Sequence, residues 1–331
     1  MPRPPIDILA LLALPASGKS ELRKFLASMD AETRLRDFGI GLPLDLDDYP
    51  YVHFMGRVDE ELAKQGSRPL FFLGRDRPLQ DSITWNVLIE LLNEDYKRLF
   101  GDTTRQLDPE LNPVRRLLNR MDNARERLGM HLLYSLVPSW DTLSRGLHEE
   151  AQKHFTAFDE VIASPKEGAT VVMEFARGGP HGSPFPIIPP RGYASALQTL
   201  NPAILERVRI LYVKVTPEQA RQKNIERGRP SEQGSILFHS VPAEVMLTDY
   251  GCDDIEWLLQ QSDRPNTIRV ERVVQEGDRY VVKVYYVPVA IFDNRDDLTS
   301  FVRGAKEDWS IENVRTLHDG LAAAMTPLLI H

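Results

Sequence analysis

Residues Ile6 to Leu14, IDILALLAL, form an apolar run broken only by Asp7, and the run ends abruptly on Pro-Ala-Ser-Gly-Lys-Ser. A strand without polar alternation has to be covered on both faces, which is the condition of a central strand in a parallel sheet. Downstream, Leu22, Phe25 and Leu26 return at helical spacing, so a helix is predicted from Lys19 to Met29. An apolar strand, a short small-residue loop and an amphipathic helix in that order commit the chain to an α/β fold.

The remaining pattern agrees with that commitment. Further strands are predicted at GIGLPLDL before Asp47, at RPLFFLG near Phe71, at Ala169 to Gly179 and at Val208 to Val215. NTIRVERVV and RYVVKVYYVPVAIF flank QEGD and predict an antiparallel ribbon over about Asn266 to Phe292. Helices are predicted over Val52 to Gln65, Asp81 to Phe100 and much of Asn112 to Phe158. The Pro- and Gly-rich stretch after Gly178 has to be a loop, and Asp253 with Asp254 precedes a helical pattern as a candidate cap. Strands alternating with helices predict a mainly parallel sheet. Residues 1–92 and 165–331 are expected to form the core, and 93–164 a helical insertion that frames an acceptor.

At 331 residues the chain is long enough for one large elaborated core. Its formal net charge of -8 argues against nucleic acid and anionic lipid as partners of the whole surface. A local basic site for one small phosphorylated ligand remains open. Cys252 is the single cysteine, which excludes an internal disulfide and points to a reducing cytoplasm. The N-terminal arginine, short apolar run and small residues resemble a secretory signal, but Asp7 and the brevity of the run speak against one. No stretch approaches the roughly 20 apolar residues of a membrane span.

The turn ALPASGKS, residues 13–20, matches the pattern G-x-x-x-x-G-K-[ST] at every fixed position but the first, where Ala13 stands. Gly18 lets the backbone curl so that the amides of Pro15-Ala16-Ser17-Gly18-Lys19-Ser20-Glu21, proline excepted, surround a phosphate. Lys19 adds a point charge for β and γ phosphates, and the Ser20 hydroxyl suits Mg2+. Ala13 matters only where that position needs a positive φ or touches the nucleotide.

On this turn and the order of elements, over roughly 6–50 and 169–230, the chain resembles the P-loop kinases, the group that includes adenylate kinase, nucleoside kinases and the zeta toxins. The resemblance implies a three-layer P-loop NTPase fold and transfer of a phosphoryl group from ATP, with Mg2+, to a small hydroxyl or phosphate acceptor. It also implies a carboxylate base after the second strand, which DLDDYP offers as Asp47 or Asp48, with Asp45 and His53 beside the acceptor. Glu174, near the end of the third strand, corresponds to an acid that orients Mg2+ or the acceptor, and Arg177 to an arginine that holds the acceptor. RQKNIERGRP is similar to a lid, with Arg221 on the nucleotide and Arg227 or its neighbours Lys223 and Arg229 on the transferred group. Two alternatives stay open: a nucleotide-dependent switch with ATPase activity and no small acceptor, and a toxin-like kinase of nucleotide sugars. His239 and Asp249 match no metal spacing, and the oligomeric state is not legible.

Overall fold

The computed structural model describes residues 4–101, 111–137, 139–227 and 240–329. Arg229 and His239 lie outside the described residues. The chain divides into two compact units, one made of residues 1–45, 166–198 and 202–331, the other of 46–165 and 199–201.

The first unit is built on a six-stranded sheet formed by β1 (Ile8–Leu12), β2 (Leu42–Asp47), β3 (Ala169–Phe175), β4 (Val208–Lys214), β5 (Thr267–Glu276) and β6 (Arg279–Asp293). The order is β2-β3-β1-β4-β6-β5. β1 runs parallel to both β3 and β4, and β6 continues the parallel set beside β4. Only β5 opposes its neighbour, pairing along its whole length with β6 as the expected ribbon. The α/β class, the mostly parallel sheet and the antiparallel ribbon therefore stand as expected. Sequence reading missed that β6 also closes the parallel sheet.

All five residues of β1 are buried. Leu9, Leu11 and Ala13 pack into one core with Leu22, Phe25 and Leu26 of α1 (Lys19–Ala27) and with Leu317, Leu321 and Met325 of α12 (Ile311–Met325). Ile8, Ala10 and Leu12 point the other way and are equally enclosed. A period of two with no polar face is the physical content of IDILALLAL. Around the sheet lie α2 (Ala31–Phe38), α7 (Gly192–Thr199), α8 (Pro202–Leu205), α9 (Pro217–Arg227), α10 (Ala243–Thr248) and α11 (Ile255–Gln261).

The second unit is helical: α3 (Tyr49–Lys64), α4 (Thr84–Leu99), α5 (Pro113–Arg127) and α6 (Trp140–Ala163). Leu88, Leu92, Leu117, Met121, Leu147 and Phe155 form its interior. It opens at Leu46, upstream of the residue 93 expected for the insertion, because α3 packs on α6 just as α4 and α5 do. Asn93 ties in residues 199–201 by donating to the Thr199 carbonyl at 2.9 Å and accepting from the Asn201 amide at 2.7 Å.

RPLFFLG is not a sheet strand. Its one ladder contact is an isolated bridge between Phe72 and Leu79. The amides of Leu70, Phe71 and Phe72 instead donate to the Asp59 carboxylate at 2.6 to 3.2 Å. A buried acid on α3 meets the donors that a ladder would otherwise have used. No helix among the described residues is long and apolar enough to cross a membrane.

Candidate functional site

At the carboxyl end of β1 the chain curls through Ala13–Gly18 and enters α1. Gly18 is left-handed at φ 108°, and Ala16 is left-handed at φ 61°. Two such residues one apart make the backbone double back, a curl in which successive N–H groups converge on a concavity. Gly18 has a steric reason as well as a conformational one. A Cβ there would stand 2.5 Å from Thr299 Oγ1 and 2.6 Å from Asn294 Nδ2.

Ala13 needs no such freedom, since positive φ falls on Ala16 and Gly18 and not on Ala13. It is fully buried, and its carbonyl accepts from the Tyr193 hydroxyl at 3.0 Å and from Lys19 Nζ at 3.4 Å. The departure from the glycine pattern is therefore conformationally free. The strain sits at Ala16, where an L side chain in the left-handed region costs about 1 kcal/mol. Ala16→Gly is expected to raise the unfolding free energy by about that amount. A urea midpoint that fails to rise would show that Ala16 carries no such strain.

The curl is braced from a distance. Ser17 Oγ donates to the Leu14 carbonyl at 2.7 Å, and Asn294 Nδ2 donates to the Ser17 carbonyl at 2.7 Å and to Thr299 Oγ1 at 2.9 Å. Asn294 follows β6 directly and has no exposed surface. Pro15 and Ser20 are half-buried at the rim. α1 begins at Gly18 without a side-chain cap, whereas α2, α5, α6 and α12 are capped by Asp30, Asn112, Ser139 and Ser310. Its first-turn amides are left without a side-chain cap, as the start of a helix leaves its first N–H groups without intrahelical partners.

Lys19 opens α1, and its ammonium lies 3.4 Å from the carbonyls of Ala13 and Phe175 and 3.7 Å from Glu174 Oε1. Glu174 Oε2 takes a second ion pair from Arg23 at 3.0 Å, and Arg23 reaches Asp45 at 3.0 Å with its other nitrogen. Arg23 thus links the ends of β2 and β3 to α1. Arg177 is buried over the Phe175 ring, 5.4 Å from its centroid, and donates to the Ala176 carbonyl at 2.6 Å.

Glu21, expected among the nucleotide contacts, has no exposed surface, and its carboxylate holds two cations. Arg227 Nη2 stands 2.8 Å from both of its oxygens and Arg303 Nε 2.7 Å from one. Burial pushes the Glu21 carboxyl up, but Arg227 and Arg303 outweigh it and hold it below the usual carboxylate range. Arg227 is thereby brought to the first turn of α1. Arg221, one and a half turns earlier on α9, pairs with Glu218 at 2.7 Å, and Lys223 pairs with Asp297 at 2.8 Å.

Asp47, Asp48 and His53 belong to the second unit. Asp47 accepts from the Tyr49 amide at 2.9 Å at the start of α3, and Asp48 is buried as the N-cap residue. His53 is exposed, stacks on Tyr49 and lies 3.5 Å from Glu150 of α6. Among the described residues no three His, Cys, Asp or Glu side chains group as a metal cage.

The expected Asp253 and Asp254 pair divides its work. Asp253 caps α11 through the Ile255 amide at 3.1 Å and accepts from the Tyr212 hydroxyl at 2.8 Å. Asp254 caps a different helix, α7, by accepting from the amides of Tyr193 at 2.6 Å and Ala194 at 3.1 Å. Burial raises the Asp253 carboxyl from 3.8 to about 7. A raised acid favours folding when protonated, so its contribution is present below the usual carboxylate range and is lost as pH climbs toward 7. Asp253→Asn is expected to remove that slope. Denaturant midpoints at pH 5 and pH 8 should differ less in the variant than in the parent protein, and equal differences would dismiss Asp253 as the source.

Asn294, Thr299, Arg23, Arg303 and Tyr193 were missed by sequence reading. Asn294 carried one usable signal, its place directly after the apolar VAIFD run. Compared with protein-family models the chain matches none, and comparison with curated proteins gives no match either.

Proposed function

We propose that the protein is a P-loop phosphotransferase that passes the γ phosphate of ATP, with Mg2+, to a small acceptor bearing a hydroxyl or phosphate. The observation that carries this is the Lys19 ammonium, held beside an uncapped helix start and a left-handed curl at the carboxyl end of β1. The sheet order adds to it. From β1 the chain leaves toward β2 at one edge, whereas β4 lies on the other side of β1, so β1 marks the switch point outside which α/β proteins bind ligands.

In this function the amides from Ala16 to Glu21 surround the phosphates and Lys19 moves from its carbonyls onto the β and γ oxygens. The Ser20 hydroxyl would hold Mg2+, which would supply positive charge to the phosphates. Departure of Lys19 would leave Glu174 to Arg23, and the freed Glu174 oxygen would orient Mg2+ or the acceptor. Arg227, together with Arg221 on the same helix, supplies positive charge where charge builds on the transferred group. The acceptor oxygen would bond to the γ phosphorus as the bond to the bridging oxygen breaks; ADP leaves with that electron pair and the acceptor proton passes to a carboxylate base. Asp45 and Arg177 are assigned to the acceptor.

ATP binding and ADP formation with Mg2+ test this, measured alone and with pooled nucleosides, nucleotides, sugars and amino alcohols. One pool is expected to raise ADP release above the basal rate. A protein that binds no ATP refutes the proposal, and one that binds ATP but responds to no pool is a nucleotide switch.

A further inference from the structure

In the helical unit, four basic side chains carry buried nitrogen atoms that have no hydrogen-bond partner among the described residues. Arg120 of α5 has no exposed surface, and its Nε and Nη2 are used on Glu94 at 2.7 Å and Asp95 at 2.6 Å. The second Asp95 oxygen accepts from the Tyr51 hydroxyl at 2.5 Å, and the second Glu94 oxygen lies 4.0 Å from Arg127. Both carboxylates are thereby engaged. Arg120 Nη1 is left buried without a hydrogen-bond partner among the described residues, and so are Arg98 Nη1, Arg116 Nε and His154 Nε2.

These four groups are neighbours. Arg120 lies over the Tyr51 ring, 5.5 Å from its centroid, and His154 meets the same ring edge-on at 4.8 Å. Arg116 is four residues before Arg120 on the same helix and lies over Phe155, 4.2 Å from its centroid. Arg98 lies over Phe158, three residues further along α6, at 4.9 Å. Burial, then Arg120, depresses the Arg98 guanidinium. Burial, then Arg120 and Arg98, pushes His154 down to about 3, so its ring is neutral.

Aromatic faces hold the guanidinium planes but accept none of their in-plane N–H groups. Buried donors left unpaired are costly, and several in one cluster match a ligand with several acceptor oxygens. Arg98, Arg116 and His154 are half-buried, whereas Arg120 is fully buried. We infer that Arg98, Arg116, Arg120 and His154 form a binding site for the phosphate group of a small phosphorylated ligand. The site lies wholly within the helical unit and is independent of the function proposed for the Gly-Lys-Ser turn.

The test uses the full chain carrying Lys19→Ala, so that phosphate at the turn does not contribute. Inorganic phosphate and, at matched ionic strength, acetate are titrated while the His154 ring resonances are followed by NMR. Phosphate is expected to shift them saturably with a Kd of about 1 mM or lower and to bring the ring's protonation up toward its ordinary range. Adding Arg98→Gln with Arg116→Gln is expected to weaken binding at least about tenfold. If that pair of changes unfolds the protein, Arg98→Lys, which keeps the charge and loses the planar fork, should weaken it instead. No saturable shift, equal binding by the arginine variants, or acetate binding as tightly as phosphate would each overturn the assignment.

Discussion

Glu21→Gln is expected to destabilise the protein by about 3 kcal/mol or more, the range for removing one partner of a buried ion pair. Glutamine keeps the shape, so no cavity contributes. What changes is that Arg227 and Arg303 lose the carboxylate that balances them at α1 from within 3 Å. Both guanidiniums are largely enclosed, at 8% and 18% side-chain exposure, so solvent cannot replace the carboxylate cheaply. A double-mutant cycle with Arg227→Gln should give a coupling above about 1 kcal/mol, since the two residues share one network. A urea midpoint within about 0.5 kcal/mol of the parent would mean that the arginines swing away and that Glu21 does not fasten α9 to α1. Because Glu21 titrates low, its contribution is present above the usual carboxylate range and is lost as pH falls through it.

Lys19→Ala separates chemistry from architecture. The substitution removes an ammonium held at 3.4 Å by two carbonyls, weak contacts whose loss leaves Glu174 still paired with Arg23. Stability is therefore expected to change by no more than about 1 kcal/mol. ADP formation should fall by about 10²- to 10³-fold, the scale for deleting one group that stabilises transition-state charge. An unchanged rate would remove the Gly-Lys-Ser turn from the reaction. A large loss of stability with the rate of the folded fraction unaltered would make Lys19 a structural pin.

The strand, curl and helix from Ile6 to Met29 are legible because each is encoded by neighbours in sequence: uninterrupted apolar residues, then small ones, then a 3.6-residue period. The same holds for the ribbon, whose two apolar runs are separated by QEGD. Long-range choices were hidden. Nothing near Glu21 announces that residues 227 and 303 will converge on it. RPLFFLG has strand composition, but Asp59, eleven residues before Leu70, takes its amides. Asp253 and Asp254 read as one capping pair, yet Gly192, at φ 77°, brings α7 so close that a Cβ there would stand 2.7 Å from Asp254 Oδ2. A helix can borrow its cap from any segment that packs against its start, and no local pattern records the loan.

The hydrogen bond from Asn294 to Ser17 spans 277 positions of chain. On a ribosome the curl is made 277 positions before Asn294 and remains without its brace until β6 has been synthesised and has joined β4. Gly18 is likewise fitted to Thr299, so the opening segment acquires its final shape only when the closing strand arrives. Nascent chains that end before residue 294 should accordingly lack a competent curl however well β1 and α1 have formed. Contacts of such separation are among the slowest to form during folding.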